Sequence, residues 1–231
     1  MILLFSGGVD SFIAYHLLSK RHKVDTLYID CGTPYSHKEI SAVKRLVPST
    51  IIETISSIGN RQLDGVNAYV PFRNLYLAMF ASYYAEDRMI AMAGLKDDNV
   101  SDKTPQAFKL MTDCLNQLDP QLDKPYLIFS PFWSHTKEQI VEWYMKRVGD
   151  KKALLDTVSC YVPGIQYCGK CPACFRKWTA FFCNGIYDLP VPNRTLALGY
   201  YERAKEKMYV QERNESIIKA VTKAEAMKLW N

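Results

Sequence analysis

Positions 2–5 read Ile-Leu-Leu-Phe, an apolar run without alternation that stops at Ser-Gly-Gly. Such a run before a glycine turn predicts a strand buried on both faces over residues 1–5. The pattern then changes period. Phe12, Tyr15 and Leu17 or Leu18 fall on one face of a helix over residues 11–20. VDTLYID at 24–30 predicts a second strand, closed by Cys31-Gly32. Ser36–Leu46 reads as a helix with Ser36 and Glu39 spaced as a capping box, and Pro48 ends it. Residues 49–55 read as a third strand, and a polar stretch with Gly59, Asn60 and Gly65 reads as a loop.

The alternation continues. Helices are expected over 74–86, 105–118 and 136–147, and strands over 88–93, ending at Gly94, and over 126–130. Residues 96–104 are polar and read as a site loop. Strands alternating with helices predict an α/β fold, an open doubly wound parallel sheet with helices on both faces. From Asp156 the pattern becomes a cysteine-bearing loop and then a basic helical tail. The expected organisation is an α/β domain over 1–155 and a C-terminal region, 156–231, packed on it.

The chain has 231 residues, which suits one α/β domain with a small appendage. A hydrophobic fraction of 48% with 23% charged residues excludes a disordered chain. A formal net charge of +5 suits an anionic ligand such as a nucleotide without marking a nucleic-acid binder. No apolar run approaches the ~18–20 residues of a membrane span. No basic segment precedes the apolar start, so a cytoplasmic protein is expected, with no membrane partner. In that compartment seven cysteines point away from disulfides.

A tight glycine turn between a first strand and its helix is the usual anion site of open α/β sheets, because helix N–H groups and the helix dipole favour negative charge. Ser6-Gly7-Gly8-Val9-Asp10-Ser11 is neither a dinucleotide fingerprint nor a Walker loop. Asp10 either orients the loop or helps hold Mg²⁺, or else satisfies the helix dipole. Asp30 closes the second strand, where a nucleoside is commonly received. Arg73 offers a fork of donors for a phosphate or carboxylate, and Asn74 either joins the site or caps the helix it opens. Lys137 follows the fifth strand, within reach of a phosphate.

Cys160, Cys168, Cys171 and Cys174 place four thiols in fifteen residues. Knuckles of the C-x2-C type suit a closed, structural Zn²⁺ site, although four thiolates also suit an iron–sulfur cluster. Cys31, Cys114 and Cys183 stand apart, with Cys31 at the mouth of the expected site.

The SGGxDS loop resembles that of the PP-loop ATP pyrophosphatases. Together with S-C-Y…C-G-K-C-x-x-C, it resembles the 7-cyano-7-deazaguanine synthase family. The segments VPFRNLYLAMFASYYAE, SHKEI and SPFWSHTKEQI resemble the family's intermediate stretches, in collinear order over about residues 1–183. The resemblance implies ATP cleaved between its α- and β-phosphates, with the carboxylate of 7-carboxy-7-deazaguanine taken with ammonia to the amide and then to the nitrile. It implies a catalytic set of Ser6, Asp10, Ser11, Arg73, Asp98 and Lys137. ATP is expected on Ser6, Gly7, Gly8, Val9, Asp10 and Ser11, with Asp30, Arg73, Asn74 and Gly94 completing the nucleotide site. Mg²⁺ sits beside them and Zn²⁺ on Cys160, Cys168, Cys171 and Cys174. The implied assembly is a homodimer.

The chain also departs from the family. A family loop of the form S-G-Y-P-D-C-R corresponds to residues 96–104, where Asp98 and Asp102 take the acidic positions. The family's Y-G-Q-R-H becomes Cys31-Gly32-Thr33-Pro34-Tyr35-Ser36-His37, with one extra residue. Lys177, with Arg176 beside it, stands where arginine is usual, and both are placed to close over an anion. His37 either contacts substrate or lies on the helix surface, while His16 and His22 read as surface or packing residues. The tail after Asn184 is longer than usual, and its basic amphipathic stretch either covers its own domain or docks a protein partner. These changes fall where substrate is read. Three alternatives therefore stay open: an enzyme that stops at the amide or transfers the deazaguanine to a protein or nucleic acid, a tRNA-thiolating PP-loop enzyme, and a non-catalytic nucleotide-binding subunit.

Overall fold

The computed structural model describes residues 1–56, 58–61, 70–119 and 124–230. Five strands, β1 (Ile2–Leu4), β2 (Asp25–Asp30), β3 (Ile51–Thr54), β4 (Met89–Ala91) and β5 (Leu127–Phe129), pair in the order β3-β2-β1-β4-β5. Every pairing is parallel, and Ile2 lies opposite both Asp25 and Ile90. Parallel neighbours need crossovers, and helices supply them: α1 (Val9–Leu18), α2 (Ser36–Leu46), α3 (Arg73–Ser82) and α4 (Pro105–Leu118). The strand order reverses between β1 and β4, the position where open α/β sheets form a crevice at the carboxyl ends of the strands.

Side chains alternate across the sheet and separate two cores. Leu3 and Phe5 of the first strand segment pack with α1, with Val43 of α2 and with Ile140 and Val141 of α5 (Lys137–Arg147). Ile2, Leu27, Ile90 and Ile128 point the other way, onto Ala78 of α3 and Phe108, Met111 and Leu115 of α4. A third core forms around α7 (Pro172–Cys183), α8 (Arg194–Lys205) and α9 (Gln211–Ala226), with Phe175, Trp178, Ala197, Ile217 and Val221 at its centre. The tail's apolar face is thus spent on its own chain. Between α5 and α7 lies the short helix α6 (Lys151–Leu155).

From β1 to α5 the strand and helix order matches the sequence expectation, with differences at the helix ends, and α6 and α7 are additions to it. Helix α2 is not capped by Ser36. Its N-cap is Tyr35 and makes no side-chain cap bond, because the Ser36 hydroxyl pairs with Thr33 and Glu39 is taken by Tyr28. Asn74 does not cap α3 either. Phe72 at φ 59° holds that position, and Asn74 is buried one residue inside the helix. A capping box does occur on α5, between Thr136 and Gln139. Helix α7 begins at Pro172, inside the stretch that the sequence pattern reads as a cysteine-bearing loop. Gly59 opens a single 3₁₀ turn, Gly59–Arg61, while Gly65 lies outside the described residues. Among the described residues no helix is long and apolar enough to cross a membrane.

Candidate active site

The turn from β1 to α1 is shaped by close packing. Gly7 sits at φ 69°, and a Cβ there would lie 3.0 Å from the Cβ of Ala42 and 3.2 Å from the Val43 nitrogen. Both the backbone angle and the approach of α2 require glycine. The Ser11 hydroxyl donates to the Gly8 carbonyl at 3.2 Å and accepts from the Ser6 N–H at 3.2 Å. Val158 N–H donates to the Gly7 carbonyl at 2.9 Å, so the segment before the cysteines props the loop from below.

A cleft of about 760 Å³ opens beside this turn. It brings together Ser6, Gly8, Val9, Asp10, Ser11, Arg73, Asn74, Asp98 and Lys137 of the expected site. Three expected residues lie off its wall. Gly7 faces α2, Gly94 packs against the ring of Trp133, and Asp30 closes a local turn by accepting from Gly32 N–H at 2.8 Å. His37 is exposed on α2, His22 is exposed, and His16 packs on Phe12 and Tyr144.

Lys137 is buried, and its ammonium lies 2.7 Å from Oδ1 of Asp10 and donates to Oδ2 at 2.9 Å. Burial pushes the Lys137 ammonium down, and Asp10 opposes that shift. Arg176 clamps the site loop from the opposite side. Its Nη1 donates to Asp98 at 2.5 Å, and its Nη2 lies 3.0 Å from Asp97. Burial disfavours the Asp98 carboxylate, but Lys103 and Arg176 outweigh it and hold the carboxyl well below the usual range. Lys177 does not close over the cleft. Its ammonium is buried, donates to the carbonyls of Thr157 and Leu155, and is pushed by burial down to about 7.

The β2–α2 side of the cleft carries Tyr35, Glu39, Arg73, Cys31 and Tyr161. Tyr28 donates to Glu39 at 2.9 Å, yet burial lifts the Glu39 carboxyl to about 7. Burial also lifts the Cys31 thiol to about 11, which leaves little thiolate for a nucleophilic role. Cys114 is exposed on α4, outside the cleft.

The four sulfurs of Cys160, Cys168, Cys171 and Cys174 all lie within 4.8 Å of one another, and those of Cys168 and Cys174 are 3.8 Å apart. A tetrahedral zinc with Zn–S bonds of ~2.3 Å sets S···S edges of about 3.8 Å. An iron–sulfur cluster interposes several atoms between its cysteines and holds them farther apart. The donor set therefore fits a single zinc ion. Backbone N–H groups of Val162, Lys170 and Cys174 point at three of the sulfurs, an arrangement that favours thiolate.

Sequence reasoning missed several wall residues. Tyr161 enters the cleft, and its position beside Cys160, the first cysteine of the cluster, is the available signal. Tyr200, Arg203, Tyr209 and Arg213 come from the tail. Arg213 donates to the Asp97 carbonyl at 2.9 Å, and Glu212 pairs with Lys96. Phe175, Tyr200 and Tyr209 stack in series behind them.

Comparison with known proteins bears on this arrangement. The family described as "Queuosine biosynthesis protein QueC" matches residues 39–185. The "7-cyano-7-deazaguanine synthase 1" of Desulfitobacterium hafniense is 24% identical over 203 residues, covering 77% of this chain and 89% of the relative. A 7-cyano-7-deazaguanine synthase of Methanosphaerula palustris is 26% identical over 223 residues, covering 83% and 97%. Against that of Saccharolobus solfataricus, 26% identical over 220 residues, the chain spans less than half of the relative, 46%. The matched segment contains Arg73, Asp98, Lys137 and the four cysteines, and it ends before α8. More than half of the sequence is accounted for in this way, and the chain belongs to the queuosine biosynthesis protein QueC family.

Proposed function

We propose that the protein is an ATP-dependent ligase that joins ammonia to the carboxylate of 7-carboxy-7-deazaguanine, forming the amide and then the nitrile 7-cyano-7-deazaguanine. The observation that carries this reading is that one cleft is lined both by the Ser6–Ser11 turn and by the Arg73–Glu39 corner. At about 760 Å³ it has room for a nucleotide beside a base-sized acceptor.

A carboxylate is a poor electrophile because its leaving group would be oxide. In the proposed route its oxygen attacks the α-phosphorus of ATP, and the bond to pyrophosphate breaks. Ammonia then adds to the acyl adenylate, AMP leaves, and the amide forms after loss of a proton. In the second round the amide oxygen attacks another α-phosphorus, and loss of AMP and the nitrogen protons gives the nitrile. The protein needs no nucleophile of its own for this chemistry. The Ser6 and Ser11 hydroxyls and the loop N–H groups hold the phosphates, and Lys137 faces the charge that develops on pyrophosphate.

Mg²⁺ prefers one or two carboxylates together with phosphate oxygens. Asp10 and Asp102 supply them, and the buried Oδ1 of Asp102 has no hydrogen-bond partner among the described residues. Bound Mg²⁺ supplies charge neutralisation. Zinc on the four cysteines is structural, and it fixes Tyr161 and Arg176, each within two residues of a ligand.

The tail residues on the wall favour a second reading, in which the acceptor differs from that of the relatives or the reaction stops at the amide. One incubation separates these readings: full-length protein with 7-carboxy-7-deazaguanine, ammonium, ATP and Mg²⁺, followed by mass spectrometry of the base. Nitrile supports the first reading and amide alone supports arrest. An unchanged base with ATP still bound rejects the free-base acceptor and directs the test to protein and RNA acceptors.

A further inference from the structure

The corner between α2 and α3 holds three polar groups that the described residues do not fully use. Tyr35 is 3% exposed, and its buried hydroxyl has no hydrogen-bond partner there. Glu39 offers Oε2 to Tyr28, and no described residue bonds its other oxygen. Arg73 shares the corner, and its field acts on Tyr35, Tyr161, Glu39 and Cys31. No described carboxylate comes within 4.0 Å of its guanidinium.

Buried polar groups are normally paired, because each one left unpaired costs the desolvation of that group. Here a carboxylate and a guanidinium face the same space without forming an ion pair. One wall of that space is aromatic: the rings of Tyr35 and Tyr161 lie in tilted contact, with centroids 5.3 Å apart. Lys38 fixes the distance between α2 and the cysteine loop by donating to the carbonyls of Val162 and Ile165. The corner is therefore held open by contacts outside it.

A ligand that completes this corner must be flat. It must offer two adjacent N–H donors to a carboxylate and an acceptor beside them to a guanidinium. The pyrimidine edge of a guanine-type base has that order: 2-amino, ring N–H, carbonyl oxygen. An adenine-type edge has one amino donor beside a ring acceptor and leaves the carboxylate unpaired. With that edge in the corner, the five-membered ring and its substituent point away from it, into the cleft shared with the Ser6–Ser11 turn.

We infer that Glu39, Arg73 and Tyr35 read the pyrimidine edge of a guanine-type base, with Glu39 as the residue that selects for the 2-amino group. The inference rests on the proposed function, which supplies the base, and adds which side chains recognise it.

The test is calorimetric titration of the full-length zinc-loaded protein at about pH 8, where the Glu39 carboxylate is ionised. The probes are 7-deazaguanine and 7-deazahypoxanthine, which lacks the 2-amino group. Wild type is expected to prefer 7-deazaguanine by about tenfold or more, since the second base leaves a buried acceptor unpaired. Glu39→Gln should bring the two affinities within about twofold, and Glu39→Asp should keep part of the preference. ATP affinity, measured on each variant, should be unchanged, which also shows that the variants fold. An undiminished preference in Glu39→Gln, or loss of ATP binding in a folded Glu39→Gln, overturns the inference and leaves the proposed function standing. Failure of wild type to bind either base overturns both.

Discussion

The ammonium of Lys137 and the carboxylate of Asp10 meet 2.7 Å apart, although 127 residues separate them in the chain. The contact joins the start of α5 to the first turn of α1, so the Ser6–Ser11 turn and the helix that follows the last strand share one charge pair. Removing the lysine leaves Asp10 partly buried and unpaired. Lys137→Ala should cost about 3 kcal/mol in denaturant unfolding, because a buried charge loses its partner. Its rate of pyrophosphate release should fall about a hundredfold or more, from loss of charge stabilisation in the transition state. Stopped assays of pyrophosphate with denaturation curves on the same variant check both effects, and an active, stable Lys137→Ala would reject the assignment.

Glu39 gives stability a defined pH dependence. Its folded carboxyl titrates at about 7, above the ordinary value of 4.5, because burial outweighs Tyr28, Arg73 and Lys38, and Asp30 adds to the shift. The folded state therefore binds a proton that the unfolded chain has released. This contribution is fully present below about 4.5 and is lost as pH rises through 7. Glu39→Gln copies the protonated form and should exceed wild type by about 2 kcal/mol at pH 8, a difference that closes toward pH 5. Urea unfolding at the two pH values measures this, and equal gaps at both would contradict it.

The cysteine site should carry one zinc per chain and no iron. Cys174 is buried, and Cys174→Ser should lose the metal in elemental analysis. Because Tyr161 and Arg176 flank the ligands, chelation of wild type should abolish product formation along with zinc. A brown protein with stoichiometric iron and sulfide would replace this assignment.

Arg213 holds the site loop from outside the matched family segment. Arg213→Ala removes a charged donor from the Asp97 carbonyl and should cost about 1–2 kcal/mol. With Asp97 and Asp98 less firmly held, kcat/KM should fall about tenfold. Steady-state kinetics beside a thermal melt separate the two effects, and full activity in Arg213→Ala would show that the tail only covers its own domain.

Much of this site was legible because its signals are local. The strand runs, the Ser-Gly-Gly turn and the four-cysteine spacing each lie within fifteen residues and constrain the backbone directly. Helix α7 was obscured because Phe175, Lys177, Trp178, Thr179, Ala180, Phe181 and Phe182 are all buried, which erases the amphipathic period. Helix α6 has five residues, too few to show a period. Ser36 and Glu39 carried a correct capping spacing whose groups were claimed by Thr33 and Tyr28. Arg213 had no local signal, since its partner lies 116 residues away.

Helix α7 faces two ways, with Ala180 and Phe181 in the sheet-side core and Phe175, Trp178 and Phe182 under the tail. The second side exists for α8 and α9 to cover. A relative whose chain stops after α7 inherits the first side unchanged and must solve the second anew, with polar side chains at the positions of Phe175, Trp178 and Phe182 or with a neighbouring copy laid over them. The identities of those three residues thus tell, in any related sequence, whether it was built to carry such a tail.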